Sequence, residues 1–451
     1  MVARYQLILY YHLPSDSYNT ILKMLLQKLC SCHLLLLFII LVQATPRCEI
    51  TYQLTEYHVT CIPTDSINYK LQRGLVSDNN DTKKITLSGC KISEVEYEAF
   101  ENLFSLEYLD LSQNKISELK LGVFDGTLEV KYLNLSHNSL TKFTLGLFDQ
   151  KPNLNILDIS GNKINNLELG IFDPLVNLNW LDLSNNALKG KDLNPYIFDE
   201  STKINVIRFA RNNMHGAPEN LLHAFKDLRV LNLDRCLLKE LPAFATGSNL
   251  KTLRELILSS NQIKNLSDET AFRNLDNLYM LDLAGNVIES IDSNLFKPLK
   301  KLKILVLRDN KLTNLPNTLF KDMKSLANID LSHNKIQGVP VDAFRGTSLK
   351  NLNLASNRIT YITDNFCLEL RNSGAILSKF YFNQNPWQCS CLRNILDEVK
   401  KYKISYNGVM YDGKHPVCVT TNEFFCKRHD MFNSVYTEMY DRLVLGLPLD
   451  T

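Results

Sequence analysis

The sequence predicts an α/β solenoid, with a curved parallel β-sheet on its concave face and disulfide-bonded caps at its ends. Three observations carry this. The frame L-x-x-L-x-L-x-x-N-x-I, clearest in LEYLDLSQNKISEL from Leu106, recurs every 23 to 26 residues. A phenylalanine falls in the second half of nearly every repeat. Cysteines gather just outside the repeats, at Cys48 and Cys61 before them and at Cys389, Cys391, Cys418 and Cys426 after them.

Each part of the frame has a physical reason. Side chains alternate along a strand, so Leu109 and Leu111 point into the coil while Tyr108 and Asp110 point out. Asn114 then ends the strand at a bend where backbone groups turn inward. A buried amide there serves the turns above and below, and leaving such groups unpaired costs roughly 1–3 kcal/mol each. Asn138, Asn162, Asn186, Asn212, Asn261, Asn286, Asn310, Asn334 and Asn357 hold the same position, and Cys90 and Cys236 replace the amide in two repeats. A thiol tolerates burial and keeps a weak S–H donor. Cys90 and Cys236 lie six repeats apart, so at ~4.8 Å per strand they cannot reach the ~7 Å needed for a bridge. The phenylalanines, from Phe100 to Phe344, stack as the core of the returning half. One turn cannot bury its own apolar face, whereas a stack can.

The chain has 451 residues, 45% of them hydrophobic and 22% charged, and a formal charge of +2. Residues 1–44 carry Arg4, Lys23 and Lys28 against Asp16, so the remainder is neutral. A neutral chain gives no argument for nucleic acid or an anionic membrane as partner.

Residues 1–23 read as an upstream extension, with translation starting at Met24. Residues 24–44 read as a secretory signal: Lys28, the apolar run LCSCHLLLLFIILV and a Val42-Gln43-Ala44 cleavage site. The run is shorter than the roughly 20 residues a spanning helix needs. Residues 45–83 form an N-terminal cap in which Cys48 and Cys61 close a hairpin, followed by an atypical lead-in. About twelve repeats occupy 84–378, with less regular stretches at 187–204 and 236–255 where the solenoid is expected to bend. KLGVFDG, TLGLFDQ and ELGIFDP, from Lys120, Thr144 and Glu168, are near copies. Residues 379–430 form a C-terminal cap with the helical pattern LRNILDEVKKY, and 431–451 a tail without a spanning helix. A secretory signal argues for disulfides and against zinc in the cap, and its four cysteines allow three pairings.

These parts resemble the extracellular leucine-rich repeat proteins of the typical class, which include Toll-type ectodomains, Slit and adhesion proteins. The most specific match is N-P-W-x-C-x-C at Asn385, Pro386, Trp387, Cys389 and Cys391. The resemblance implies bridges from Cys389 to Cys418 and from Cys391 to Cys426. The N-terminal cap offers two cysteines where many members have four, which is similar to secreted insect immune members. Those carry a coiled coil, and no sustained heptads follow here.

The concave face is the default binding surface of such a solenoid. Tyr108, Tyr132, Ile156, Trp180, Val206 and Val230 form an apolar and aromatic stripe. The next outward column starts acidic, at Asp110, Asp158 and Asp182, and turns basic at Arg208, with Arg211, Arg235 and Arg308 alongside. Arginines there would take a carboxylate, sulfate or phosphate. Asn80, Asn134 and Asn265 head glycosylation sequons, and Asn134 lies on the concave strand. His137 and His333 sit at the concave edge, but no triad, phosphate loop or metal-ligand spacing accompanies them. The expectation is a secreted, non-enzymatic protein without metal or cofactor, which binds an extracellular protein or glycan and pairs as a homo- or heterodimer. The alternative is the ectodomain of a membrane-attached Toll-like or adhesion protein, in a longer product of which this sequence is part.

Overall fold

The computed structural model describes residues 46–447 apart from 54–55, 64–67, 78, 412–416, 421–424 and 431–432. The upstream extension, the signal and its cleavage site lie outside the described residues. A fifteen-stranded sheet runs the length of the solenoid. Its first two strands, Arg47–Gln53 and Glu56–Ile62, are an antiparallel hairpin closed by the Cys48–Cys61 disulfide. The second strand then pairs in parallel with Thr82–Thr86, and every later neighbour in the sheet is parallel. The hairpin therefore shields the apolar end and also serves as the first rung. The lead-in is part of the stack as well, because Tyr69–Leu71 pairs with Ile92–Val95 in a small sheet away from the concave strands.

Most concave strands are three residues long, with the middle residue buried and the outer two half-buried. The two less regular stretches do not interrupt the sheet. Trp180–Asp182 pairs with Val206–Arg208, and Val230–Asn232 with Glu255–Ile257. The irregularity is absorbed on the returning side as short 3-10 turns at Gly190–Asp192 and Ala243–Ala245.

The asparagines form a ladder. Asn114 Nδ2 donates to Leu87 O at 2.8 Å in the preceding turn and to Leu111 O at 2.9 Å in its own, while Oδ1 accepts the Ile92 N–H at 2.9 Å. The same set recurs at Asn138 and on to Asn385. Where cysteine replaces the amide, its two roles separate. Cys236 Sγ donates to Phe209 O at 3.3 Å, and the acceptor for Met214 N–H is the Cys236 carbonyl instead of a side chain. Cys90 Sγ donates to Cys61 O, tying the first repeat to the cap. Burial pushes the Cys236 thiol up to about 12 and that of Cys90 to about 11, so both stay protonated and unreactive. The phenylalanines stack in the returning half, with Phe272, Phe296 and Phe320 6.2 Å apart between successive ring centroids.

At the far end, Lys379–Tyr381 still pairs with Asn351–Asn353, so the sheet continues into the cap. Helix α1 (Phe366–Asn372) packs on the last turns, and α2 (Cys389–Lys401) buries Cys391, Leu392, Ile395 and Val399 along one face. Bridges join Cys389 to Cys418 and Cys391 to Cys426. Trp387 is buried beneath them, its Nε1 donating to Phe382 O at 2.8 Å. The tail departs from the sequence reading. Asn433–Val444 forms a helix, α3, that buries Asn433, Tyr436 and Tyr440, residues at i, i+3 and i+7. Arg358 pairs with Asp441, and Tyr361 OH donates to Asp430 at 2.7 Å, holding this helix on the final repeat. Among the described residues no helix is long and apolar enough to cross a membrane.

Lys151 is an outlier in the core. It takes the third position after Phe148, where later turns place Leu175, Leu275 or Leu299, and it is only 1% exposed. Its ammonium donates to Gln150 O, and burial pulls its pKa down from 10.5 to about 8. The native state thus binds fewer protons than the unfolded chain between about pH 8 and 10.5, and stability rises with pH across that window. Lys151→Met is expected to stabilise the protein by about 2 kcal/mol at pH 7, with the gain shrinking above pH 8. Urea unfolding at pH 7 and pH 10 measures this, and an equal gain at both pH values would refute it. Asn138→Ala strands several buried backbone groups and is expected to cost roughly 3 kcal/mol in the same assay, whereas Cys236→Ala, which loses one weak donor, should cost about 1 kcal/mol or less.

Candidate ligand-binding site

The concave columns line up in the register that the repeats dictate. Tyr108 pairs with Tyr132, Tyr132 with Ile156, Ile156 with Trp180, and Trp180 with Val206. All five are half-buried. The rings of Tyr108 and Tyr132 stack 4.3 Å apart and within 2° of parallel, and Lys84 Nζ sits 4.4 Å from the Tyr108 centroid. Desolvation raises the hydroxyl pKa of both tyrosines, Tyr108 the more strongly, so the stack stays neutral. Further along, the Arg208 guanidinium lies 5.1 Å from the Trp180 ring and 3.5 Å from Asp182. From Lys84 to Arg208 the face is a row of side chains held by their neighbours before any ligand arrives.

The second column has a role that the sequence reading missed. Asp110, Asp158, Asp182, Asp282 and Asp330 each accept the backbone N–H two residues on, at 2.8–3.0 Å, and Asn134, Asn232 and Asn353 do the same at 2.9–3.1 Å. These carboxylates and amides cap the strand ends in Asx turns. Burial raises the pKa of Asp158 and Asp282, in part against these bonds. The alternation of Asp and Asn in this column was the available signal. Arg208, Ile257 and Val306 depart from it and give up the cap.

The arginines expected to form a basic middle divide between strand and bend. Arg208 lies on the strand, whereas Arg211 and Arg235 occupy the bend beyond it with φ of 60° and 54°. His137 and His333 occupy the same left-handed position in distant turns and do not meet. Arg208, Arg235 and Arg308 each have a carboxylate within 3.4–3.8 Å, from Asp182, Asp234 and Asp309. Asp182 comes from the turn before Arg208, while Asp234 and Asp309 adjoin Arg235 and Arg308 in sequence, so the surface is mixed in charge. Arg235 and Arg308 do share an open recess with Asp234 and Asp282, which leaves Arg208 outside it. Asn80 is exposed beside the N-terminal cap, Asn134 is half-buried on the concave strand, and Asn265 is exposed in a two-residue strand paired with Ser290–Ile291.

Among protein families, the leucine rich repeat matches residues 81–140, 128–188, 251–312 and 300–359. The chain carries leucine-rich repeats. CD180 antigen of Mus musculus is 32% identical to it over 98 residues, which are 21% of this chain and 14% of that protein. The Toll chain in the structure of the Toll–Spätzle complex, described as a hub in Drosophila development and innate immunity, superposes with a TM-score of 0.56 at 21% identity, covering 73% of this chain and 54% of Toll. The leucine-rich repeat domain of APL1B aligns over 76% of this chain and 89% of its own length, at a TM-score of 0.50 and 19% identity. The leucine-rich repeat chain thus spans about half of Toll and a small part of CD180.

If the Tyr108–Tyr132 stack is preorganised as the geometry indicates, a double-mutant cycle of Tyr108→Ala and Tyr132→Ala should give a coupling of about 0.5–1.5 kcal/mol in unfolding free energy. Additive costs would show that the rings do not support each other.

Proposed function

We propose that this chain is a secreted recognition protein that binds an extracellular protein ligand on the concave strands between Lys84 and Arg208. The observation that carries this reading is the stacked row of Lys84, Tyr108, Tyr132, Trp180 and Arg208. Tyr, Trp and Arg dominate binding energy at protein interfaces, and ordering them in advance lowers the entropy lost on association. Carboxylates already neutralise most of the arginines, which favours a protein surface over a sulfated or phosphorylated ligand. The resemblance in fold to Toll, solved in complex with Spätzle, supports a protein ligand. The leader read over residues 24–44 and the disulfide-bonded caps support an extracellular location. The likeness of part of the chain to Toll and CD180 favours, as second reading, a membrane-attached ectodomain.

The chain expressed from Met24 in a secretory cell, with a tag after Thr451, tests both readings. Secretion predicts tagged protein in the medium starting at Thr45, and intact protein held in the membrane fraction would favour the second reading. The secreted protein and its Trp180→Ala/Arg208→Ala variant are then used to capture extracellular proteins. A ligand held by the first should be lost at least tenfold by the variant, a drop of roughly 1.4 kcal/mol or more. Equal capture would move the site off this row. The glycan mass at Asn134 sets the extent of the row in use, since an occupied site leaves the Trp180–Arg208 end open.

A further inference from the structure

The flank that carries the stacked phenylalanines has a charge pattern that ligand binding on the concave face does not explain. The residue after each core phenylalanine lies at the surface, exposed in most turns but half-buried at Glu101 and Asp199, which pair with Arg73 and His223, while Arg345 pairs with Asp342. In the first five turns it is Glu101, Asp125, Asp149, Asp173 and Asp199, and from the sixth turn it is Lys226, Arg273, Lys297, Lys321 and Arg345. The irregular turn between Lys226 and Arg273 places neutral Ser248 there, since Leu250 N–H bonds Gly247 O as Leu275 N–H bonds Phe272 O. Asp125, Asp149, Asp173, Lys226, Lys297 and Lys321 are exposed and have no salt-bridge partner among the described residues. Like charges in adjacent turns repel, and alternating signs would suit a lone monomer better.

The acidic half also carries an apolar ladder. Tyr97, Leu121, Leu145 and Leu169, three residues before successive phenylalanines, are 51–56% exposed. Each of the first three lies over a glycine of the next turn: an added Cβ would meet the Tyr97 ring at Gly122, Leu121 at Gly146 and Leu145 at Gly170. All three glycines hold φ between +80° and +90°, and they belong to the three near-identical segments noted in the sequence. The ladder is thus a built surface, and exposed apolar rows of this kind mark contact sites. None of Asn80, Asn134 and Asn265 lies in either column, so glycans at the sequons leave both columns clear of an attachment point.

We propose that this flank is a self-complementary surface, on which a second copy of the chain docks antiparallel. A twofold axis near Lys226 sets the acidic half of each copy against the basic half of the other: Glu101 opposite Arg345, Asp125 opposite Lys321, Asp149 opposite Lys297 and Asp173 opposite Arg273. The repeat spacing is nearly constant, so one register satisfies all four pairs, and the twofold makes each pair twice. A parallel pairing would oppose like charges throughout. The aliphatic stems of the lysines cover the ladder while their ammonium groups meet the aspartates. The concave face stays open for ligand.

The test uses the secreted full chain, in sedimentation equilibrium, with circular dichroism confirming the fold of each variant. The wild type is expected to form a dimer at low ionic strength and to dissociate at least tenfold more readily at about 0.5 M salt. Reversing the acids (Asp125→Lys, Asp149→Lys, Asp173→Lys) or the bases (Arg273→Glu, Lys297→Glu, Lys321→Glu) should leave each variant monomeric by itself. Mixing the two should restore a 1:1 dimer, because the central turns of one are then basic throughout and those of the other acidic, so that the positions of Asp125, Asp149 and Asp173 meet opposite charge again. A wild type that stays monomeric at low salt, a dimer indifferent to the reversals, or a mixture that fails to pair would each overturn the proposal. None of these outcomes bears on the concave row, which the capture assay tests separately.

Discussion

Every turn of this solenoid must bend its backbone inward, and the bend would bury peptide groups without partners. The asparagine ladder removes that obstacle, with Nδ2 donating to two turns and Oδ1 accepting from the turn before. A buried unpaired peptide group costs more than a typical hydrogen bond gains, so this single position governs whether the turns can stack. The two cysteine turns show the limit of substitution. A thiol replaces the donor, and the backbone carbonyl of Cys236 steps in as acceptor.

Because the ladder fixes the bend, the strands before it are short and share one register, and the outward columns run straight across the turns. Alignment is what converts scattered residues into surfaces. Tyr108 and Tyr132 stack because one turn separates them, and Arg208 reaches both Trp180 and Asp182 because the preceding strand presents them side by side. The aspartates beside them are engaged in capping strand ends, so their charge on the face is a by-product of a structural task.

The returning half is governed by different needs. Phenylalanines fill the core there, and the residues around them are free to differ between turns without harming the stack. That freedom makes the segregation of acid and base along the flank informative, since folding does not ask for it. At the ends, the hairpin and the two-disulfide cap take the place of missing neighbours, and the helix Asn433–Val444 extends that cover along the last repeat.

The solenoid, its sheet register, the ladder, the phenylalanine core and the capping cysteines were legible in the sequence, because each is set by residue type at a fixed period. Helix α3 was not, since one short amphipathic segment carries no period to amplify Tyr436 and Tyr440. The Asp–Asn column was visible as letters but not as turn caps. The arginines divide for a related reason: Arg208, Arg211 and Arg235 are close in sequence frame, yet the strand ends between Arg208 and Arg211, and the acid comes from the preceding turn at Arg208 but from the adjacent residue at Arg235. The sequence by itself determined which residues face inward and how the turns repeat, because burial and backbone satisfaction act locally and identically in every turn. Only the tertiary structure decided which outward residues meet, because contacts between turns about 24 residues apart depend on where the bend places each side chain.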